Sequence, residues 1–432
     1  MNWREEYKKL LWITALFMAI YFLPTGHERF DNAIKEELIL IKWYAQKHVL
    51  LCLVPAFFIA GVISVFFSKD AVIRYLGPKA KKWIAYGVAS VSGTILAVCS
   101  CTVLPLFSGI YKRGAGLGPA IAFLYSGPAI NILAIILTAR ILGAEIGIAR
   151  VVGAIMFSVI IGFFMHMIFR KEEKKKAEAQ LAMSEQNESR PFWQTAIHFF
   201  ILVAILIFAN WGRPTTDNGL WHTIYYARWT ITAVFGILFA CSLIVFLKID
   251  WKWIVSASAL VFLTAILVKS SIVTFSIAVV LTAVLISREG GEPGEWMSAT
   301  WDFAKQILPL LALGVLIAGF LLGSPEGAQG MIPSDCISKL VGGNSIFSNF
   351  FASIAGAFMY FATLTEVPIL QGLIANGMGK GPALALLLAG PALSLPNMLV
   401  IRSVIGTRKT VVFVSLVVVM ASLTGFIFGR LF

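Results

Sequence analysis

"CSCTVLPLFSGIYKRGAGLGPAIAFLYSGPAIN" (99–131) and "ATLTEVPILQGLIANGMGKGPALALLLAGPALS" (362–394) are two versions of one pattern. An ungapped offset of 263 lays Ala89–Gly143 on Ala352–Gly406, with 17 identities in 55 pairs. Many of these are glycine or proline: Pro105 with Pro368, Gly109 with Gly372, Pro119 with Pro382, and Gly127–Pro128 with Gly390–Pro391. Chance matching of apolar runs would pair Leu, Ile and Val instead. The chain reads as an internal repeat whose copies both interrupt apolar sequence with helix breakers. Proline removes a backbone donor and crowds the preceding turn, and glycine loosens a helix.

The surroundings of the pattern settle the fold class. Of 432 residues, 59% are hydrophobic and 13% charged, with mean hydropathy +0.85. Soluble domains are nearer a quarter charged. Runs such as "LLCLVPAFFIAGVISVFF" (50–67) and "VVFVSLVVVMASLTGFIF" (411–428) approach the ~20 residues that cross a bilayer core. The expectation is an all-α polytopic membrane protein with 10 to 13 membrane segments. A net charge of +13 fits Lys and Arg gathered in cytoplasmic loops, not nucleic-acid binding. The five cysteines form no CxxC pair, the five histidines form no HExxH site, and no Walker A motif appears. No cofactor or resident metal is expected.

Composition divides the chain. Residues 1–44 read as an N-terminal anchor or first span, centred on the apolar stretch 10–23, and 45–169 as the first repeat. Residues 170–192 form a charged cytoplasmic loop, 193–299 are connecting membrane segments without a repeat partner, and 300–432 are the second repeat. Basic residues in 69–82 and in 170–190 both call for the cytoplasm. Three full spans between them would separate the two stretches, so one segment among 83–169 is re-entrant or one loop breaks the charge rule. Transporter precedent favours inverted over parallel repeats.

The breaks carry the candidate chemistry. Broken helix at membrane depth has to be buried in protein or line a cavity, and matched breaks in two halves point to a transport site. In the first copy Cys99, Ser100, Cys101 and Thr102 precede Pro105, offering soft sulfur and hydroxyl oxygen. In the second, Thr365 and Pro368 persist and Glu366 stands where the first copy has Val103. An ionisable group inside a membrane segment is costly and marks function. Glu366 is therefore the candidate coupling carboxylate, with a place at the membrane interface or a structural pairing to Arg402 as the alternative. Gly127–Pro128 and Gly390–Pro391 break a second segment in each copy, followed by Asn131, Ser394 and Asn397 as neutral hydrogen-bonding groups. "GAGLGPA" (114–120) and "GMGKGPA" (377–383) read as tight turns feeding a new helix, since proline suits a first turn.

Both motifs resemble the bacterial YraQ or UPF0718 predicted-permease family, related to the ArsP organoarsenical efflux permeases. The resemblance covers about 45–170 and 300–432. It implies a permease of the bacterial cytoplasmic membrane. For the related ArsP branch it implies export of trivalent organoarsenicals, in which span cysteines matter; Cys99 and Cys101 occupy the matching motif. The expected function is a secondary transporter moving a small molecule or ion by alternating access, with proton or cation coupling through Glu366. A membrane thiol oxidoreductase using Cys99 and Cys101, or a passive channel, are the alternatives.

Overall fold

The computed structural model describes residues 3–66, 76–77, 80–95, 100–130, 132–175, 191–212, 219–323, 330–331, 340–358, 366–375 and 377–432. Among them the structure is helical throughout, apart from isolated bridges of Gly342 and Gly343 with Met378. In lipid every backbone polar group needs an internal partner, and an apolar helix supplies all of them. Among the described residues seven helices are long and apolar enough to cross a membrane, or eight if a bent pair counts as one span. This is a polytopic membrane protein. The larger expected number of segments includes helices that are apolar but too short to cross.

The elements are α1 (Trp3–Tyr21), α2 (Glu28–Val65, π-helical over Ala45–Leu53), α3 (Lys82–Ile95), α4 (Ser100–Lys112), α5 (Leu117–Ala129), α6 (Ile132–Ile141) and α7 (Ala144–Ile168). Then come α8 (Phe192–Ala209), α9 (Leu220–Val245), α10 (Trp251–Val268) and α11 (Ser271–Arg288). The last six are α12 (Gly291–Leu322), α13 (Ile346–Phe358), α14 (Glu366–Ala375), α15 (Lys380–Leu393), α16 (Leu395–Ile405) and α17 (Thr407–Leu431). At the offset of 263, α17 repeats the bounds of α7, and α15 and α16 start where α5 and α6 dictate. The correspondence reaches further back than the sequence identities, because Glu28 and Gly291, which open α2 and α12, are also 263 apart. The turns match as well: Gly114 and Gly377 both have positive φ, of 104° and 97°, which only glycine adopts without strain.

Ion pairs and close contacts tell the ends of the bundle apart. At one end Lys409, opening α17, pairs with Glu173 just beyond α7 at 2.6 Å, and Tyr111 of α4 donates to the same carboxylate at 3.0 Å. At the other end Lys380, opening α15, pairs with Glu145, in the first turn of α7, at 2.8 Å. Gly425, near the end of α17, sits against Gly381 at the start of α15. So α17 runs antiparallel to α7. Likewise Gly118, at the start of α5, touches Gly162 near the end of α7, which makes α5 antiparallel to α15. The first end also carries Lys82, Lys112, Arg113, Arg170, Lys171 and Arg408 and is termed the basic face; Arg140, Lys380 and Arg430 lie at the opposite face.

Helices α3 and α4 form a hairpin whose outer ends are both at the basic face. Tyr86, in the second turn of α3, lies against Gly118, and Tyr111 closes α4 there. The 13 residues of α4 rise about 20 Å, short of the ~30 Å core. A second hairpin, α13 and α14, enters from the opposite face: Asn344 and Asn349 pack on Gly381 and Gly425, and Gly343 bridges Met378 just past α14. The connecting turns, 96–99 and 359–365, lie outside the described residues. The first hairpin has the geometry of a re-entrant segment, one of the two ways in which the charge pattern can be met. It returns the chain to its own side, so Lys82 and the helical stretch 170–175 share one face.

After each hairpin comes an interrupted span. α5 is followed by α6 after a break at 130–131, and α15 by α16 with a 47° bend at Ser394. All residues of α5, and all of α15 beyond Lys380, are buried. These two helices meet at the centre, where the Tyr125 hydroxyl donates to the Leu388 carbonyl at 2.7 Å. Tyr125 and Leu388 are themselves 263 apart. Outside this centre α12 packs along α2, with Trp296 Nε1 donating to the Phe58 carbonyl at 2.8 Å. Helices α8 to α11 lie outermost, with side chains such as Phe262, Leu267 and Ile272 exposed for contact with lipid.

Candidate functional site

The half-length helix α14 begins with Glu366, and its first turn contains Pro368. Proline is tolerated there because the first N–H groups of a helix have no internal partner. A carboxylate at that end complements the helix dipole. Glu366 is 1% exposed and forms an ion pair with Arg150, which is 0% exposed in the second turn of α7. Arg150 Nη1 donates to Thr138 Oγ1 of α6 at 2.9 Å, whereas Arg150 Nε has no partner among the described residues. The pair joins the two halves of the chain: the acid comes from the second, the base and its hydroxyl support from the first. A buried charge persists only when compensated, and among the described residues each is the ion-pair partner of the other.

The remaining expected residues divide by position. Thr102 is buried in α4. Ser394 and Asn397 are buried at the bend between α15 and α16, and Ser394 Oγ and Asn397 Oδ1 have no hydrogen-bond partner among the described residues. Such orphaned polar atoms in a membrane interior are the groups a passing solute would satisfy. Ser100 and Cys101 open α4, but their side chains, like Cys99, Asn131 and Thr365, lie outside the described residues.

Three features differ from expectation. Pro105 sits inside α4, so the interruption precedes the helix instead of falling at the proline. Gly127–Pro128 and Gly390–Pro391 likewise lie inside α5 and α15; α5 ends after them at Ala129, and the bend of the second copy follows at Ser394. A proline's missing donor and its clash act on the preceding turn, so a helix can start shortly before one. Finally, Arg402 is not the partner of Glu366; its Nε donates to Thr407 Oγ1 at 3.0 Å. The partner, Arg150, was missed in the sequence. Its signal was a single cation in the 25-residue apolar helix α7.

A family model described as "Predicted permease" (ArsP_1) matches residues 35–430. The chain belongs to this permease family. The UPF0718 protein MJ0584 of Methanocaldococcus jannaschii is 40% identical over 398 residues, 92% of this chain and 96% of that protein. The UPF0718 protein YraQ of Escherichia coli K12 is 31% identical over 118 residues, covering 26% of this chain and 30% of that one. The UPF0718 protein YcgR of Bacillus subtilis is 24% identical over 122 residues, 28% of this permease and 41% of its own length. No solved structure matches the chain.

Proposed function

We propose that this permease is a secondary transporter of the cytoplasmic membrane that moves a small solute by alternating access. The two halves act as inverted repeats, and Glu366 is the coupling group. The observation that carries this reading is the antiparallel pairing of corresponding helices, with a buried carboxylate at the inner end of one hairpin held by an arginine of the other half. Inverted repeats with interrupted helices place substrate near the membrane midplane. Ion pairs between halves can be broken and remade as one half rocks against the other. Thr102, Ser394 and Asn397 would line the path with Ser100 and Cys101 at the start of α4, with Cys99 and Thr365, and with Asn131 just before α6. The excess of Lys and Arg supports the basic face as cytoplasmic.

Everted membrane vesicles with a pH-sensitive dye provide the test. Solute-driven proton movement should be lost on Glu366→Gln, whereas movement unaltered between about pH 5 and pH 8 removes Glu366 from coupling. Trivalent methyl- and phenylarsenicals are the first solutes to apply, because the family resemblance implies them. Cys99→Ser with Cys101→Ser decides whether thiols recognise the cargo: preserved transport makes them packing residues.

A further inference from the structure

We propose that Arg150 is an anion site, and that the permease takes up a small solute bearing carboxylate- or oxyanion-type oxygens together with a proton. This rests on the transporter reading above and names its substrate class. Arginine stays charged at any working pH and offers five donors in a planar fork. In Arg150 one side of the fork meets Thr138, another meets Glu366, and Nε is unused among the described residues. Because the guanidinium is fully buried, its charge has to be balanced at every stage of the cycle. With Glu366 ionised, the balance is internal. When a proton from water forms an O–H bond on the Glu366 carboxyl, the site is left with one uncompensated positive charge, and a monoanion restores neutrality. Glu366⁻·Arg150⁺ becomes Glu366–H·Arg150⁺·X⁻; one proton and one anion enter together and no electrons move. The Glu366 carboxylate occupies the guanidinium edge that the solute's oxygens would take. A cation is disfavoured, since it could engage Glu366 only by stripping Arg150 of its counter-charge.

Among the described residues no neighbouring element offers a substitute counter-ion. α14 packs on α6 and α15, and α7 packs on α3, α5, α6, α15 and α17. Their other ionisable groups lie toward the two faces: Arg140, Arg430 and the Lys380–Glu145 pair at one, Lys82, His166, Arg408 and Lys409 at the other, where Glu172 and Glu173 follow α7. Tyr125 of α5 donates its hydroxyl proton to Leu388. Tyr86 of α3 lies against Gly118 toward the basic face, and Tyr125 interacts with the charge of Arg150, but a phenol brings no counter-charge; among the described residues Glu366 is the acid that pairs with Arg150.

Chemical rescue of the purified protein tests this. Glu366→Ala vacates the guanidinium and should lower the melting temperature. Formate or acetate should restore most of that loss, equal concentrations of chloride should restore less, and the Arg150→Leu/Glu366→Ala double variant should not respond. No response to the carboxylates, or an equal response in the double variant, overturns the anion site. Should Glu366→Ala fail to fold, wild-type protein in liposomes with an entrapped pH dye gives the second measurement. Inward gradients of nitrate or phosphate should drive proton entry that Glu366→Gln abolishes. Glu366-dependent proton movement driven by potassium or zinc instead overturns the anion class and leaves the transporter reading intact. Silence with every anion overturns the inference; the absence of Glu366-dependent proton movement with every solute overturns the transporter reading as well.

Discussion

One corner of the molecule holds Glu366, Arg150 and Thr138; the corresponding corner, 263 positions away in each case, holds Val103, Phe413 and Ile401. All six are buried. The backbone that carries them is the same on both sides: a half-length hairpin helix (α14 or α4), a long span (α7 or α17) and the second half of an interrupted span (α6 or α16). One copy places a charge pair and a hydroxyl at these positions, the other three apolar side chains. The same arrangement of helices is therefore built in one copy without charges at these positions. What requires them lies outside packing, and in a membrane interior that points to function.

The largest expected effect comes from breaking the pair on one side only. Arg150→Leu leaves Glu366 buried without its counter-charge and should destabilise the protein by about 3–5 kcal/mol, read as unfolding in detergent. Converting the polar corner into a copy of the apolar one is the sharper experiment. Glu366→Val, Arg150→Phe and Thr138→Ile together should give stability equal to the parent or up to about 4 kcal/mol higher, with transport abolished. Transport that survives this triple change would reduce the pair to a structural remnant.

How much of this was legible in the sequence follows the same contrast. The repeat was visible because glycine and proline answer to backbone geometry: Gly114 and Gly377 adopt positive φ at the same turn, as do Gly143 and Gly406. The hairpins were not visible as hairpins. Residues 83–110 and 346–373 read as continuous apolar segments, although each folds into two helices. No run of polar residues separates the two helices in either stretch, so nothing in the sequence marks where one ends and the next begins. Glu366 stood out as an acid among apolar neighbours, but its partner lies 216 positions earlier. Pairing across that distance is set by tertiary structure, so the nearer Arg402 was the natural and mistaken candidate.

A middle-sized effect tests whether the two halves are built alike. Gly162 and Gly425 occupy corresponding places, and at each an added Cβ would lie 2.6 Å from a carbonyl oxygen, of Gly118 and Gly381 respectively. Backbone cannot move aside as a side-chain tip does. Gly162→Ala and Gly425→Ala should each cost about 1–3 kcal/mol, by similar amounts. A loss confined to one variant would show that only one half depends on this close crossing.

The smallest effect probes the polar contacts the halves share. Ser90 bonds Ser158 between α3 and α7 at 2.9 Å, and Ser353 bonds Ser422 between α13 and α17 at 3.1 Å. Ser90 and Ser353 are 263 apart, whereas Ser158 and Ser422 are 264 apart, so each hairpin is tied at the same point of its own helix to long-span positions offset by one residue. Neither tie stands alone. Ser158 also donates to Ile155 and Ser422 to Val418 within their own helices, so removing the partner leaves no orphaned hydroxyl. Ser90→Ala and Ser353→Ala should therefore each cost only about 0.6 kcal/mol, the usual size of such bonds in membranes. Their effects should add in the double variant, because the two sites share no side chain. Strong coupling between them would mean that the hairpins move as one body, against a cycle in which one half rocks on the other.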